Sequence, residues 1–356
     1  MSLANVENHV RRLSPALPFV GAILVYLVYR FFFSAADVAF IPLGFSPADL
    51  HVEVGAGLSD PRSVVARLSW SVTGVFFVLA LIASLIVLVR VIAAALRGRG
   101  FAVQGAVFGV AVVLAFSCAW FSVEDNLFTV RAFNPILERS FELLEIRHAP
   151  VLADWYTGLM LVVTVMLTFA ASASLVSPLE QSTSPASSAA ENPSEEATSS
   201  ESPASATSSE EPSSKADHLR EQLVRLNTAL FIGATMLVAG IVHAIALHKL
   251  PGALLNEALG EELNIVVHAL STSAGAIWTF LLLGIYLPAA FTLRRRASEL
   301  ARSEVSGDPT HENVNTWLAE NGLSSRMTQQ LARIAALLGP LLVGGPAGAF
   351  LQLLTG

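Results

Sequence analysis

One cysteine, Cys118, stands in the whole chain, which excludes an intrachain disulfide and any cysteine-rich zinc or iron–sulfur site. Charge is also scarce. Only 14% of the 356 residues are Asp, Glu, Lys or Arg, against about 25% in a soluble domain. The patterns GxGxxG, GxxxxGK[ST], HExxH and GxSxG are absent in any fitting context, so nucleotide-binding, zinc-protease and serine-hydrolase chemistry lack local support. No carboxylate lies at mid-depth in any of the long apolar stretches, which argues against a proton or sodium relay of that kind. With no catalytic motif left, an enzyme is not the favoured reading.

What the chain does hold is apolar length. Residues 17–33, 70–88, 101–121, 151–176, 228–247 and 264–292 are each about long enough to span a hydrocarbon core, which takes roughly 20 helical residues. The composition, 53% hydrophobic with a mean hydropathy of +0.60, agrees. Backbone groups cannot go unpaired in lipid, so the spans must be helices or a closed barrel. Barrel strands alternate apolar and polar residues. Residues 75–89 (VFFVLALIASLIVLV) are apolar all round, so helices are chosen. The expected fold is an all-α polytopic membrane bundle: six spans followed by a broken apolar C-terminal segment.

Basic residues orient it. With both termini and the long loop after span four placed inside, 14 of the 21 Lys and Arg are cytoplasmic and 7 external, as the positive-inside rule requires. Trp70, Trp120 and Trp155 then all fall at the outer interface, where aromatic belts form. Arg11 and Arg12 before an apolar run resemble a signal peptide, but Arg30 interrupts the run and the first span is read as retained. The location expected is the cell membrane, multi-pass, with a cytoplasmic N-terminus and tail.

Four units follow: a four-span unit over 1–176, a tether over 177–216, a two-span hairpin over 217–293 and a tail over 294–356. Residues 177–214 hold seven Glu and no basic residue among Ser, Pro, Thr and Ala. Such composition cannot bury enough surface to offset its ordering entropy, so a disordered cytoplasmic tether is expected. A short echo, Val64-Val65-x-x-Leu68-Ser69-x-Ser71 against Val266-Val267-x-x-Leu270-Ser271-x-Ser273, hints at duplicated spans. Asn134-Pro135 opens an amphipathic helix expected along the outer membrane surface, and Asp60-Pro61 a start leading into span two. Gly105-x-x-x-Gly109 permits a close contact of span three.

Candidate function rests on few residues. His243 and His268 sit at similar depth in adjacent antiparallel spans, on faces shared with small residues, and are the metal or haem candidates; the cofactor itself stays unknown. In the tail, Asp308-Pro309 starts a helix that Asn321-Gly322 stops. A second begins near Ser324 and carries Met327, Leu331, Ile334 and Leu338 on one face. From Ile334 to the C-terminus no residue is charged, yet Gly339, Pro340, Gly344, Gly345 and Pro346 argue against one straight helix. A broken re-entrant or interfacial hairpin is favoured over a seventh span or a soluble helical pair. With Ser271, Thr272 and Gly275 of span six, those five residues are the pore or gate candidates.

The first functional reading is a channel or small-solute permease lined by spans five and six. A membrane-anchored regulatory or effector component acting through its tail is the alternative, and a haem- or metal-binding membrane redox protein a second. The partner expected is the lipid bilayer; a homo-oligomer or cytoplasmic protein partner is compatible, and nucleic acid is not. Deleting residues 184–208 should leave the melting temperature in detergent unchanged within about 2 °C, since the segment has nothing to bury; a larger fall would show it to be ordered.

Overall fold

The computed structural model describes residues 14–35, 47–50, 61–97, 109–110, 113–114, 134–146, 149–176, 210–305, 310–324 and 327–345. Among them every regular element is helical: α1 (Leu17–Ala35), α2 (Pro61–Ala95), α3 (Asn134–Leu143), α4 (Ala149–Ser174), α5 (Glu210–Lys249), α6 (Glu257–Glu304), α7 (His311–Glu320) and α8 (Met327–Gly344). Three helices, Pro61–Ala95, Lys215–Leu254 and Glu257–Glu304, are long and apolar enough to cross a membrane, as a helical membrane protein requires. Spans one and four of the sequence reading fall on α1 and α4. Span three, with Cys118 and Gly105, lies outside the described residues except at 109–110 and 113–114, and so does the tether over 177–209.

Local signals explain the ends. Pro61 opens α2, where its missing N–H is no loss. The Asn256 side chain caps α6 by accepting from Leu259 N at 3.0 Å. Thr310 does the same for α7 with Asn313 N at 3.4 Å, so the cap is the residue after Asp308-Pro309. Gly322, at φ +67°, ends α7 where only glycine turns left-handed without strain.

The helices α5 and α6, joined by a short turn over Leu250–Leu254, are the central pair. α5 packs against α2, α4, α6 and α8; α6 packs against α1, α5 and α8. One core runs through them, with Leu88 and Ile92 of α2, Met160 and Leu167 of α4, Leu230 and Leu237 of α5, Leu282 of α6 and Leu337 of α8. The described helices before residue 177 and after residue 209 therefore share one core. Two boundaries shift as well. α5 begins at Glu210, inside the stretch assigned to the tether, and α6 runs unbroken past 293 to Glu304.

A second core closes the end that holds the turn. The amphipathic helix α3 buries Ile136, Leu137, Phe141 and Leu144 against Leu247, Leu250, Leu254 and Leu255. Its apolar face is thus occupied by protein rather than by a membrane surface, because the turn offers a ready apolar seat. Outward lie large apolar side chains such as Ile23 and Leu24 of α1, Val75 and Leu79 of α2, and Phe280 and Phe291 of α6. So much contiguous apolar surface suits hydrocarbon and not water.

The tail differs most from expectation. α8 does not break at Gly339-Pro340; it continues through them and stops at Gly344. It lies antiparallel along α6, in the groove with α5, with Leu341 beside Thr279 and Gly344 beside Ser271. Leu337, Pro340 and Gly344 are buried, while Leu331, Ile334 and Leu342 face out. Backbones meet where side chains vanish: a Cβ on Gly275 would overlap Pro340 O, and one on Gly344 would overlap Ser271 O. Gly275→Val should therefore cost about 1–3 kcal/mol by overpacking. Gly260→Ala, whose added Cβ meets nothing within 4 Å, should gain up to about 1 kcal/mol from helix propensity. Thermal unfolding in detergent reads both, and equal effects would contradict this packing.

Candidate functional site

Six of the eight pore or gate candidates, Ser271, Thr272, Gly275, Pro340, Gly344 and Gly345, meet at one joint between α6 and α8. The Gly344 carbonyl, at the C-terminus of α8, has no partner further along its own helix. Thr272 Oγ1 donates to it at 3.0 Å, and the Ser271 hydroxyl sits 2.9 Å from it and 3.0 Å from His268 O. Proline at 340 has no N–H to offer its own helix, and one residue on Leu341 N donates to Thr279 Oγ1 at 3.1 Å. Neighbouring hydroxyls re-satisfying backbone freed near a proline is what an apolar environment demands. Gly339 turns to α5, where an added Cβ would stand 3.3 Å from Val238 Cγ2. Gly345 N closes the helix end on Leu341 O at 2.9 Å. Pro346 lies outside the described residues. Thr279 is the member that grouping around Gly339 and Gly344 missed; only the register of α8 on α6 brings it in.

His243 occupies a different junction, among α2, α4 and α5. Its Nδ1 is 3.2 Å from Thr73 Oγ1. The Thr73 hydroxyl hydrogen is taken by Ser69 O at 2.8 Å, which leaves its oxygen to accept from Nδ1–H. The imidazole stacks on Phe77, with ring centroids 5.6 Å apart and planes at 12°, and meets Tyr156 at 5.8 Å and Trp70 at 6.1 Å. Gly74 makes room, since a Cβ there would lie 3.2 Å from the ring. Trp70, Thr73, Gly74 and Phe77 follow the i, i+3, i+4, i+7 spacing of one helical face, so α2 devotes a stripe to this ring. Tyr156 OH, meanwhile, donates to Gly240 O at 2.6 Å and ties α4 to α5. Matched against known protein families, curated proteins and solved structures, the chain matches none.

The hydrogen bond and ring contacts of His243 go to α2 and α4, and none goes to His268. His268 is half-buried on α6, and its Nδ1 is buried without a partner. No group of three or more His, Cys, Asp or Glu is gathered to hold a metal ion among the described residues. Trp70, expected in a lipid-facing belt, packs instead on His243 and on Phe141 at 6.5 Å. The α2 stripe was visible in the sequence as a glycine and a hydroxyl between aromatics. Nothing local tied it to residue 243.

As a packed, singly hydrogen-bonded ring, His243 should respond as a structural element. Truncation to Ala should cost about 3–5 kcal/mol, the range for removing a large buried side chain. Thr73→Val, which removes the hydroxyl's bonds to Ser69 O and to the imidazole, should cost about 1–3 kcal/mol. A double-mutant cycle on the melting curves should show the two coupled; additive losses would dissociate Thr73 from the ring.

Proposed function

We propose that the chain is a six-crossing protein of the cell membrane, with the N-terminus and tether cytoplasmic, and that it is a channel or small-solute permease. Its solute path runs along α5 and α6, and α8 fills that path in the closed state. The observation that supports this most is the α6–α8 joint: three hydroxyls, Ser271, Thr272 and Thr279, all serve the backbone of one helix. Hydroxyls that satisfy a docked backbone would face an open groove once the helix left it. The joint is also small in energy. Each neutral hydrogen bond contributes about 0.5–1.5 kcal/mol, so the docked state is separable from the undocked one by a modest input.

Orientation comes from the asymmetry of basic residues in the sequence. In a Cys118→Ala background, a cysteine at exposed Glu138 should react with an impermeant thiol reagent in intact cells, and one at Ser199 should not. The reverse pattern would invert the topology.

Flux is the functional test. In proteoliposomes the S271A/T272A/T279V triple variant should release small ions or glycerol faster than the unaltered chain. Each ~1.4 kcal/mol removed from the docked state raises the undocked population tenfold, so a tenfold or greater rise is the expected scale. A disulfide engineered between α6 and α8 should abolish it. No flux from the triple variant, with the bundle still folded, would remove the channel reading. The regulatory alternative would then lead, on the observation that Gly322 after α7 sits against Arg220 of α5, so that the tail folds back on the bundle.

A further inference from the structure

The other end of the bundle carries a cationic notch that the solute path does not use. Here α4 stops, and its terminal carbonyls are taken by side chains from both neighbours. Arg296 Nη1 of α6 donates to Leu175 O at 2.7 Å, and Gln222 Nε2 of α5 donates to Val176 O at 3.2 Å. His218, Gln222 and Arg225 lie at i, i+4 and i+7, on one face of α5. The Arg225 side chain is only 13% exposed and pairs with Glu221.

Two polar atoms in the notch are left over. Gln222 is wholly buried, yet its Oε1 has no partner, and His218 Nε2 is buried without one. An unpaired buried polar group costs about 1–3 kcal/mol, so the pair calls for a ligand or solvent that supplies both an acceptor and a donor. Burial, and then the positive charges of Arg225 and Arg296, hold the His218 pKa below its ordinary value, with Glu221 pulling the other way. From α4 the facing groups are uncharged carbonyls. Among the described residues the charges acting on His218 are two guanidinium groups and one carboxylate, so the field there is positive even with His218 neutral.

Depth narrows the ligand. α5 has 40 residues and is about 60 Å long, twice the hydrocarbon thickness. Its first part therefore projects beyond the hydrocarbon; Arg225 and Arg296 stand just past the ends of spans five and six and Val176 ends span four, which puts all three near headgroup level. We propose that this notch binds the headgroup of an anionic phospholipid, its phosphate on His218 Nε2–H and the two arginines and a headgroup hydroxyl on Gln222 Oε1. Phosphatidylglycerol has both groups; phosphatidylcholine has neither the net charge nor the hydroxyl. The site depends on the bundle lying in a bilayer and not on its conducting, so failure here would leave the flux experiment untouched.

The test uses the purified full chain in detergent, with phosphatidylglycerol, phosphatidylcholine or inorganic phosphate added at equal concentration. Phosphatidylglycerol should raise the melting temperature by about 4 °C more than phosphatidylcholine, as binding to the folded state alone requires. The anion favours protonated His218, so its effect should be larger at pH 6 than at pH 8. His218→Gln, which tolerates half-exposure, should remove that pH dependence, and R225Q or R296Q should remove most of the shift. Arg295→Gln, on exposed Arg295 paired with Glu299, should keep it. Equal shifts from the two lipids, or an unchanged pH dependence in His218→Gln, would overturn the site. Inorganic phosphate matching phosphatidylglycerol would overturn the lipid assignment.

Discussion

Close approach of helix backbones, with the carbonyls freed at the ends of α4 and α8 caught by neighbours, is the constraint on which this bundle depends. α6 is met at glycine on two sides. Gly284 faces Gly21 of α1, and a Cβ on Gly21 would overlap Gly284 O; Gly275 faces Pro340 of α8. At such distances dispersion and backbone dipoles act without intervening side chains, which matters where lipid tails are as apolar as leucine and no hydrophobic drive separates helix from lipid. The same contact forbids unsatisfied carbonyls. Ser271 and Thr272 therefore serve Gly344 O, while Arg296 and Gln222 serve the end of α4.

The two ends of the molecule solve different problems. At the turn end, a second apolar core under α3 seals the α5–α6 connection, and Trp70 and His243 lie beneath it as packed rings. At the other end, where α5 begins and α6 finishes, the long helices expose cations such as Arg220, Arg294 and Arg295. Leu318 and Leu323, on either side of the α7 stop, pack there against the main core. A bundle closed at one end and polar at the other has a built-in direction. Between the ends, α8 is held by few inward groups, Leu337, Pro340 and Gly344, together with three hydroxyl contacts.

Much of the helical plan was legible in composition. Long uncharged runs are a one-dimensional property, so 70–88, 228–247 and 264–292 fall inside the three membrane-length helices, and Pro61, Asn134 and Gly322 mark ends that local backbone preferences set. The apolar face of α3 was equally plain. Its partner was not, since an amphipathic stripe reads the same whether lipid or a leucine-rich turn covers it. The glycines and proline of α8 misled for a similar reason. In isolation Gly339-Pro340 breaks a helix, but a donor freed there costs nothing when Thr279 lies opposite.

The sequence by itself determined that this chain is helical, apolar along several membrane-length stretches, acidic in its tether and poor in catalytic groups, because each follows from residue type and spacing along the chain. Tertiary structure alone decided which faces meet. It placed His243 against α2 and α4, drew Ser271, Thr272, Gly275, Pro340 and Gly344 into one joint, and left Gln222 and His218 with unpartnered atoms. Helical periodicity says that residues share a face. Which neighbour that face finds depends on the rotation and register of helices distant in sequence, and those are settled only when the whole bundle packs.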